Sequence, residues 1–77
     1  MYLSWHITVY GKRVAARLAK AFNAESLITY VDRIDASVSG ESSTRPSQWY
    51  MVRVHNPGVE SAEFAARCDG IYQKCNQ

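Results

Sequence analysis

The sequence predicts an α+β domain, a two-layer sandwich in the order β-α-β-β-α. Three observations carry this. Residues 2–10, YLSWHITVY, alternate apolar and polar without a break, which is the period of a half-buried strand. Directly after Gly11 the apolar spacing lengthens to that of a helix. From residue 48, QWYMVRVH alternates again, and a second stripe at helical spacing follows it.

In the first strand Leu3, Trp5, Ile7 and Val9 form the expected core side, and Tyr2, Ser4, His6, Thr8 and Tyr10 take the other. Two tyrosines and a histidine are a peculiar choice for a surface that only meets water. Residues 12–23 then read as a helix. Val14, Leu18 and Phe22 recur on one face with Ala15 and Ala21 beside them, the alanines favour helix, and Asn23 supplies a stop.

The next segment, SLITYVDRIDASV at 26–38, fits either period. As a strand it puts Ile28, Tyr30, Ile34, Ala36 and Val38 on the core side, with Asp32 the exception. As a helix it lines up Leu27, Ile28, Val31 and Ile34. Its many β-branched and aromatic residues favour a strand. Residues 39–47, SGESSTRPS, hold no apolar residue and are expected to form a flexible hairpin loop.

In the third strand Tyr50, Val52 and Val54 point one way, and Trp49, Met51, Arg53 and His55 the other. Asn56-Pro57-Gly58 ends it, with Asn56 expected to cap the second helix and Pro57 to enter its first turn. Phe64, Cys68, Ile71 and Cys75, flanked by Ala65 and Tyr72, make the second helical stripe. Glu63 and Arg67 are spaced for an ion pair on its outer side. Gly70 costs that helix about 1 kcal/mol relative to alanine, and admission of a neighbouring side chain would explain it.

A right-handed crossover through the first helix makes strands 1 and 2 parallel, and strand 3 fits antiparallel between them. The expected product is a three-stranded antiparallel or mixed sheet of order 2-3-1 with both helices on one face. This is a ferredoxin-like fold truncated by its fourth strand.

Seventy-seven residues allow a single domain, 1–77, near the lower end of chains that fold unaided. Hydrophobic residues make up 47% and charged residues 21%, an ordinary globular balance. So small a core gains from a partner or a second copy. The net charge of +2 is well short of the excess that marks a dedicated nucleic-acid binder. No apolar run approaches the ~18 residues of a membrane span. In MYLSWHITVYGKR the charges follow the apolar part, the reverse of a signal peptide, so a cytoplasmic protein without membrane contact is expected. Cys68 and Cys75 would stand two helical turns, about 10 Å, apart, too far for a disulfide.

With both helices on one side, the other sheet face has no cover. It is expected to carry Tyr2, His6 and Tyr10 from strand 1, Trp49, Met51, Arg53 and His55 from strand 3, and Thr29, Val31 and Arg33 from strand 2. Aromatic, cationic and apolar groups interleaved in this way suit a protein interface, where Trp, Tyr and Arg dominate binding energy. They also suit base stacking in the manner of RRM sheets. A sheet face stabilised only by its own cross-strand pairs is the bland alternative. The RNP-type motif is absent from the sequence. Arg13, Arg17 and Lys20 form a basic stripe on helix 1 suited to phosphate, but on the layer away from the aromatic face.

Neither a G-x-S-x-G, a P-loop nor a G-x-G-x-x-G occurs. His6, His55, Cys68 and Cys75 lack the spacing of a zinc site. His6 and His55 on adjacent strands, near Asp32 or Asp35, are the one arrangement with catalytic residue types, and a structural role suits them better. The expectation is therefore a non-enzymatic module without metal or cofactor.

The element order, with WYMVRV ahead of the second helix, resembles that of SPOR domains, which bind peptidoglycan, over most of the chain. Where that family carries a Gly-Pro-Phe turn, this chain reads His55-Asn56-Pro57-Gly58, and the family's fourth strand has no counterpart. The resemblance implies shared architecture and offers a SPOR-like binding domain as a further alternative. The favoured reading is a small adaptor or inhibitor, of the kind viruses and mobile elements encode, that binds a protein. Strand 1 is long, regular and free of Pro, Lys and other fixed charge, so its edge is expected to pair with a second copy or with a partner's strand.

Overall fold

The computed structural model describes residues 3–34 and 48–76. The elements run β1 (Ser4–Tyr10), α1 (Lys12–Ala24), β2 (Thr29–Arg33), β3 (Trp49–His55) and α2 (Ser61–Cys75). β3 lies in the middle of an antiparallel sheet of order β1-β3-β2, the expected order read from the other edge. Both ladders are antiparallel, so β1 and β2 run parallel to each other without touching. The expected hairpin loop at 39–47, with Tyr2, Asp35, Ala36 and Val38, lies outside the described residues.

One residue of β1 shows where the helices sit. The Trp5 indole packs against Phe22 of α1 at 5.4 Å between ring centres and against Tyr72 of α2 at 6.3 Å. Both helices therefore cover the same side of the sheet. Beneath them Val9, Val52 and Val54 meet Ala15, Leu18, Phe22, Phe64 and Cys68 in one buried cluster. Burial of each large side chain there stabilises the fold by about 1.5–3 kcal/mol before the entropy of ordering it is subtracted. Leu3 shares the parity of this side but stands just outside β1, and at 78% exposure no helix covers it.

The helices begin and end by means the apolar pattern does not disclose. α1 starts at Gly11, whose φ of 100° is open to glycine at no steric cost and closed to most other residues. It runs past Asn23 and stops at Ser26. There the Ser26 N–H donates to the Asn23 carbonyl at 2.9 Å and the Leu27 N–H to the Phe22 carbonyl at 3.1 Å. This is a Schellman stop, with Ser26 at φ 63° in the left-handed position that glycine usually fills. Leu27, buried at 3%, anchors the turn.

Asn56 does not cap α2. It is buried four residues earlier, where its side-chain oxygen accepts from the Gly58 and Val59 N–H groups at 2.9 and 2.8 Å and its amide donates to the Val59 carbonyl at 2.8 Å. Pro57 accordingly lies in this turn and not in the helix. The cap is Glu60, whose carboxylate accepts from the Ala62 and Glu63 N–H groups and places negative charge at the positive end of the helix dipole. Arg67 does not pair with Glu63. It donates instead across to α1's end, to the Glu25 carbonyl at 3.3 Å. Gly70 faces open space, so no neighbouring side chain accounts for it.

Candidate functional site: the open sheet face

Residues directly opposite one another in a sheet share a face, so the two registers define the uncovered surface row by row. Thr8, Met51 and Asp32 form one row, and His6, Arg53 and Tyr30 the next. Ser4 stands beside His55, whose N–H donates to the Ile28 carbonyl, and this adds Ile28 to a third row. Tyr10 stands beside Trp49, whose carbonyl accepts from the Ile34 N–H, which closes the face with a fourth.

The β1 and β3 residues lie where alternation placed them: His6, Tyr10, Trp49, Met51, Arg53 and His55 are all on this face. Tyr2 lies outside the described residues. β2 corrects the expectation. Tyr30 and Asp32 stand on the open face, whereas Thr29, Val31 and Arg33 oppose Val54, Val52 and Tyr50 on the helix side. Arg33 is therefore not part of the open surface. The reason is physical: both parities of this strand carry apolar residues, and β2 is an edge that the helices cover incompletely. Val31 is 41% exposed although it points to the helix side. Asp32, the misfit on a supposed core face, stands exposed on the open one.

Three aromatic rings stand out on the surface, with Tyr10, Tyr30 and Trp49 exposed at 61%, 51% and 47%. Tyr10 and Trp49 meet edge to face, their ring centres 5.0 Å apart at 77°. The Arg53 guanidinium lies over the Tyr30 ring, 5.3 Å from its centre. Such contacts hold each aromatic in one orientation, which lowers the entropy lost when a partner covers it.

The two histidines fall on neighbouring rows, His6 opposite Arg53 and His55 opposite Ser4, and no hydrogen bond joins either of them to Asp32. Among the described residues no group of three or more His, Cys, Asp or Glu comes together to hold a metal ion, and no helix is long and apolar enough to cross a membrane. Arg13, Arg17 and Lys20 are exposed on α1, in the layer behind the sheet. Arg17 borders an open cleft with Val14, Leu18, Tyr72, Cys75 and Asn76. The basic stripe and the aromatic face do not converge on one ligand.

Comparison with family models, curated proteins and solved structures found no match to this chain. The likeness to SPOR domains is one of element order.

Proposed function

We propose that the chain is a small non-enzymatic protein-binding module. It acts as an adaptor or inhibitor of viral or mobile-element type, working in the cytoplasm and docking a larger protein through its open sheet face. A single observation carries this reading: three oriented, exposed aromatic rings share one face with Met51, Ile28 and Arg53, and among the described residues the face is close to neutral. Arg53 is balanced by Asp32, and Arg33 lies on the other side. Aromatic and Arg anchors without an excess of one charge are the make-up of a protein contact. A nucleic-acid site needs fixed positive charge along the backbone track, whereas the register of β2 keeps Arg33 off the face and puts Asp32 on it. In the ferredoxin-like description of the fold, the place of the fourth strand is the outer side of β1, next to this face.

The test is affinity capture from a lysate of the source cells with nuclease treatment, comparing wild type with Trp49→Ala and Arg53→Ala. A protein is expected to be retained by wild type after nuclease and lost by both variants, with at least about a tenfold drop in affinity. Its binding should change little between low and moderate salt. Affinity falling by several decades per decade of salt would replace this reading with nucleic-acid binding. Retention by Trp49→Ala together with loss in Arg13→Ala/Arg17→Ala would move the site to α1.

A further inference from the structure

The hydrogen bonds at the two ends of the β1–β3 ladder set its phase. The Gly11 N–H donates to the Gln48 carbonyl at 2.7 Å, and the Asn56 N–H donates to the Leu3 carbonyl at 2.9 Å. In an antiparallel ladder bonded and non-bonded pairs alternate. Leu3, Trp5, Ile7, Val9 and Gly11 therefore turn their backbone groups toward β3. Ser4, His6, Thr8 and Tyr10 turn theirs outward, where no described residue meets them.

The opposite edge differs. The Ile34 N–H to Trp49 and His55 N–H to Ile28 bonds leave Thr29, Val31 and Arg33 facing outward on β2, a shorter edge that carries Asp32 and Arg33. β1 carries no Asp, Glu, Lys, Arg or Pro, the residues that usually blunt an exposed edge.

We infer that β1 pairs antiparallel with β1 of a second copy of this chain, in the register that sets Ile7 opposite its own symmetry mate. In that register Ser4 meets Tyr10 of the second copy and His6 meets its Thr8, so each outward N–H and C=O on one strand finds an outward group on the other. A slip by two residues leaves outward groups unpaired at both ends, and a slip by one sets outward groups against inward ones. On the helix side Ile7 covers Ile7 and Trp5 covers Val9. Ile7 is only half-buried in the single chain, and apolar area left at the sheet edge is what such a contact removes from water. No charge opposes its like. The two Arg53 residues would sit three strand spacings and two residues along the strand apart, more than about 14 Å, beyond the screening length at physiological salt. The strand is thus its own complement in hydrogen bonding, apolarity and charge. The product is a six-stranded sheet, β2-β3-β1-β1-β3-β2, with the two open faces joined into one.

This assembly is separable from the docking reading, because a monomer that still binds its protein partner through Trp49 overturns the dimer alone. Sedimentation velocity on the full chain from low to several hundred micromolar is expected to show a concentration-dependent dimer, and a monomer throughout overturns the inference. Thr8→Pro removes an outward N–H and leaves the bonds to β3 in place. It should weaken dimerisation at least about tenfold while far-UV circular dichroism stays unchanged. Val31→Pro, the equivalent change on the outer side of β2, should leave the dimer intact, and the reverse pattern would put the contact on the wrong edge. In a Cys75→Ser background, Ile7→Cys should cross-link on mild oxidation, since facing residues of a non-bonded pair lie about 4.5 Å apart. Thr8→Cys should not, and cross-linking of Thr8→Cys alone would overturn the register. A monomer whose β1 amides become protected from exchange only when a foreign partner is added would assign the edge to that partner and overturn self-pairing.

Discussion

Arg53 of β3 lies over the Tyr30 ring of β2, 5.3 Å from its centre, and opposite it in the ladder. The pair joins the central strand to an edge strand whose two faces are mostly open, so it is a contact that the helix layer cannot supply. Double-mutant analysis with Arg53→Ala and Tyr30→Ala, read from urea midpoints, is expected to give a coupling of about 0.5–1 kcal/mol, the range for an exposed cation over a ring. Additive effects would mean the two side chains do not interact in solution.

Ser26 holds a conformation that glycine adopts without steric cost. Ser26→Gly should raise stability by up to about 1 kcal/mol, since the relief of strain outweighs the greater freedom of glycine in the unfolded chain. Thermal and urea unfolding measure it. A loss of stability would show that the serine side chain itself stabilises the α1 stop.

Asn56 and Glu60 do different work in the turn before α2, and their variants should separate. Asn56→Ala removes a buried amide that satisfies the Gly58 and Val59 backbone, and is expected to cost about 2–3 kcal/mol. Glu60→Ala removes an exposed cap and should cost about 1 kcal/mol. Equal losses would place both residues in a capping role.

Cys68 is fully buried, and burial, reinforced by the Asp69 carboxylate and partly opposed by Arg67, pushes its thiol from 9.0 up to about 11. Below pH 9 the thiol is protonated in folded and unfolded chains alike. Between pH 9 and about 11 the unfolded chain releases the proton while the folded chain keeps it, so stability falls as pH rises through that window. Urea midpoints at pH 8 and 10.5 should therefore differ more in wild type than in Cys68→Val. At pH 8 a thiol reagent should modify half-buried Cys75 first and reach Cys68 only on unfolding.

β1, α1, β3 and the stripe of α2 were legible because each buries one face and wets the other, which leaves a single period in the residues. β2 was legible as a strand but not in its parity. Leu27, Thr29 and Val31 on one side and Ile28, Tyr30 and Ile34 on the other are equally suited to burial, and only the pairing with β3 decides between them. That ambiguity put Arg33 on the candidate face and kept Tyr30 and Asp32 off it. Asp32 itself was the available signal, because a carboxylate in the middle of a supposed core face argues for the opposite parity. The ends of the helices were hidden for another reason. A left-handed Ser26 and a capping Glu60 are weaker choices than glycine or serine at those positions, so composition does not announce them.

The two tryptophans occupy opposite sides of one sheet. Trp5 is wedged between Phe22 and Tyr72, with its indole N–H donating to Asp69 at 3.3 Å, while Trp49 stands on the outer surface against Tyr10. Their fluorescence consequently monitors two unrelated events in the same molecule. Loss of the native fold should shift Trp5 emission to the red. A protein seated on the open face should shift Trp49 to the blue and shield it from an aqueous quencher, with Trp5 unchanged. Trp5→Phe and Trp49→Phe then make two single-colour versions of the chain, one reporting from the docking face and the other blind to docking.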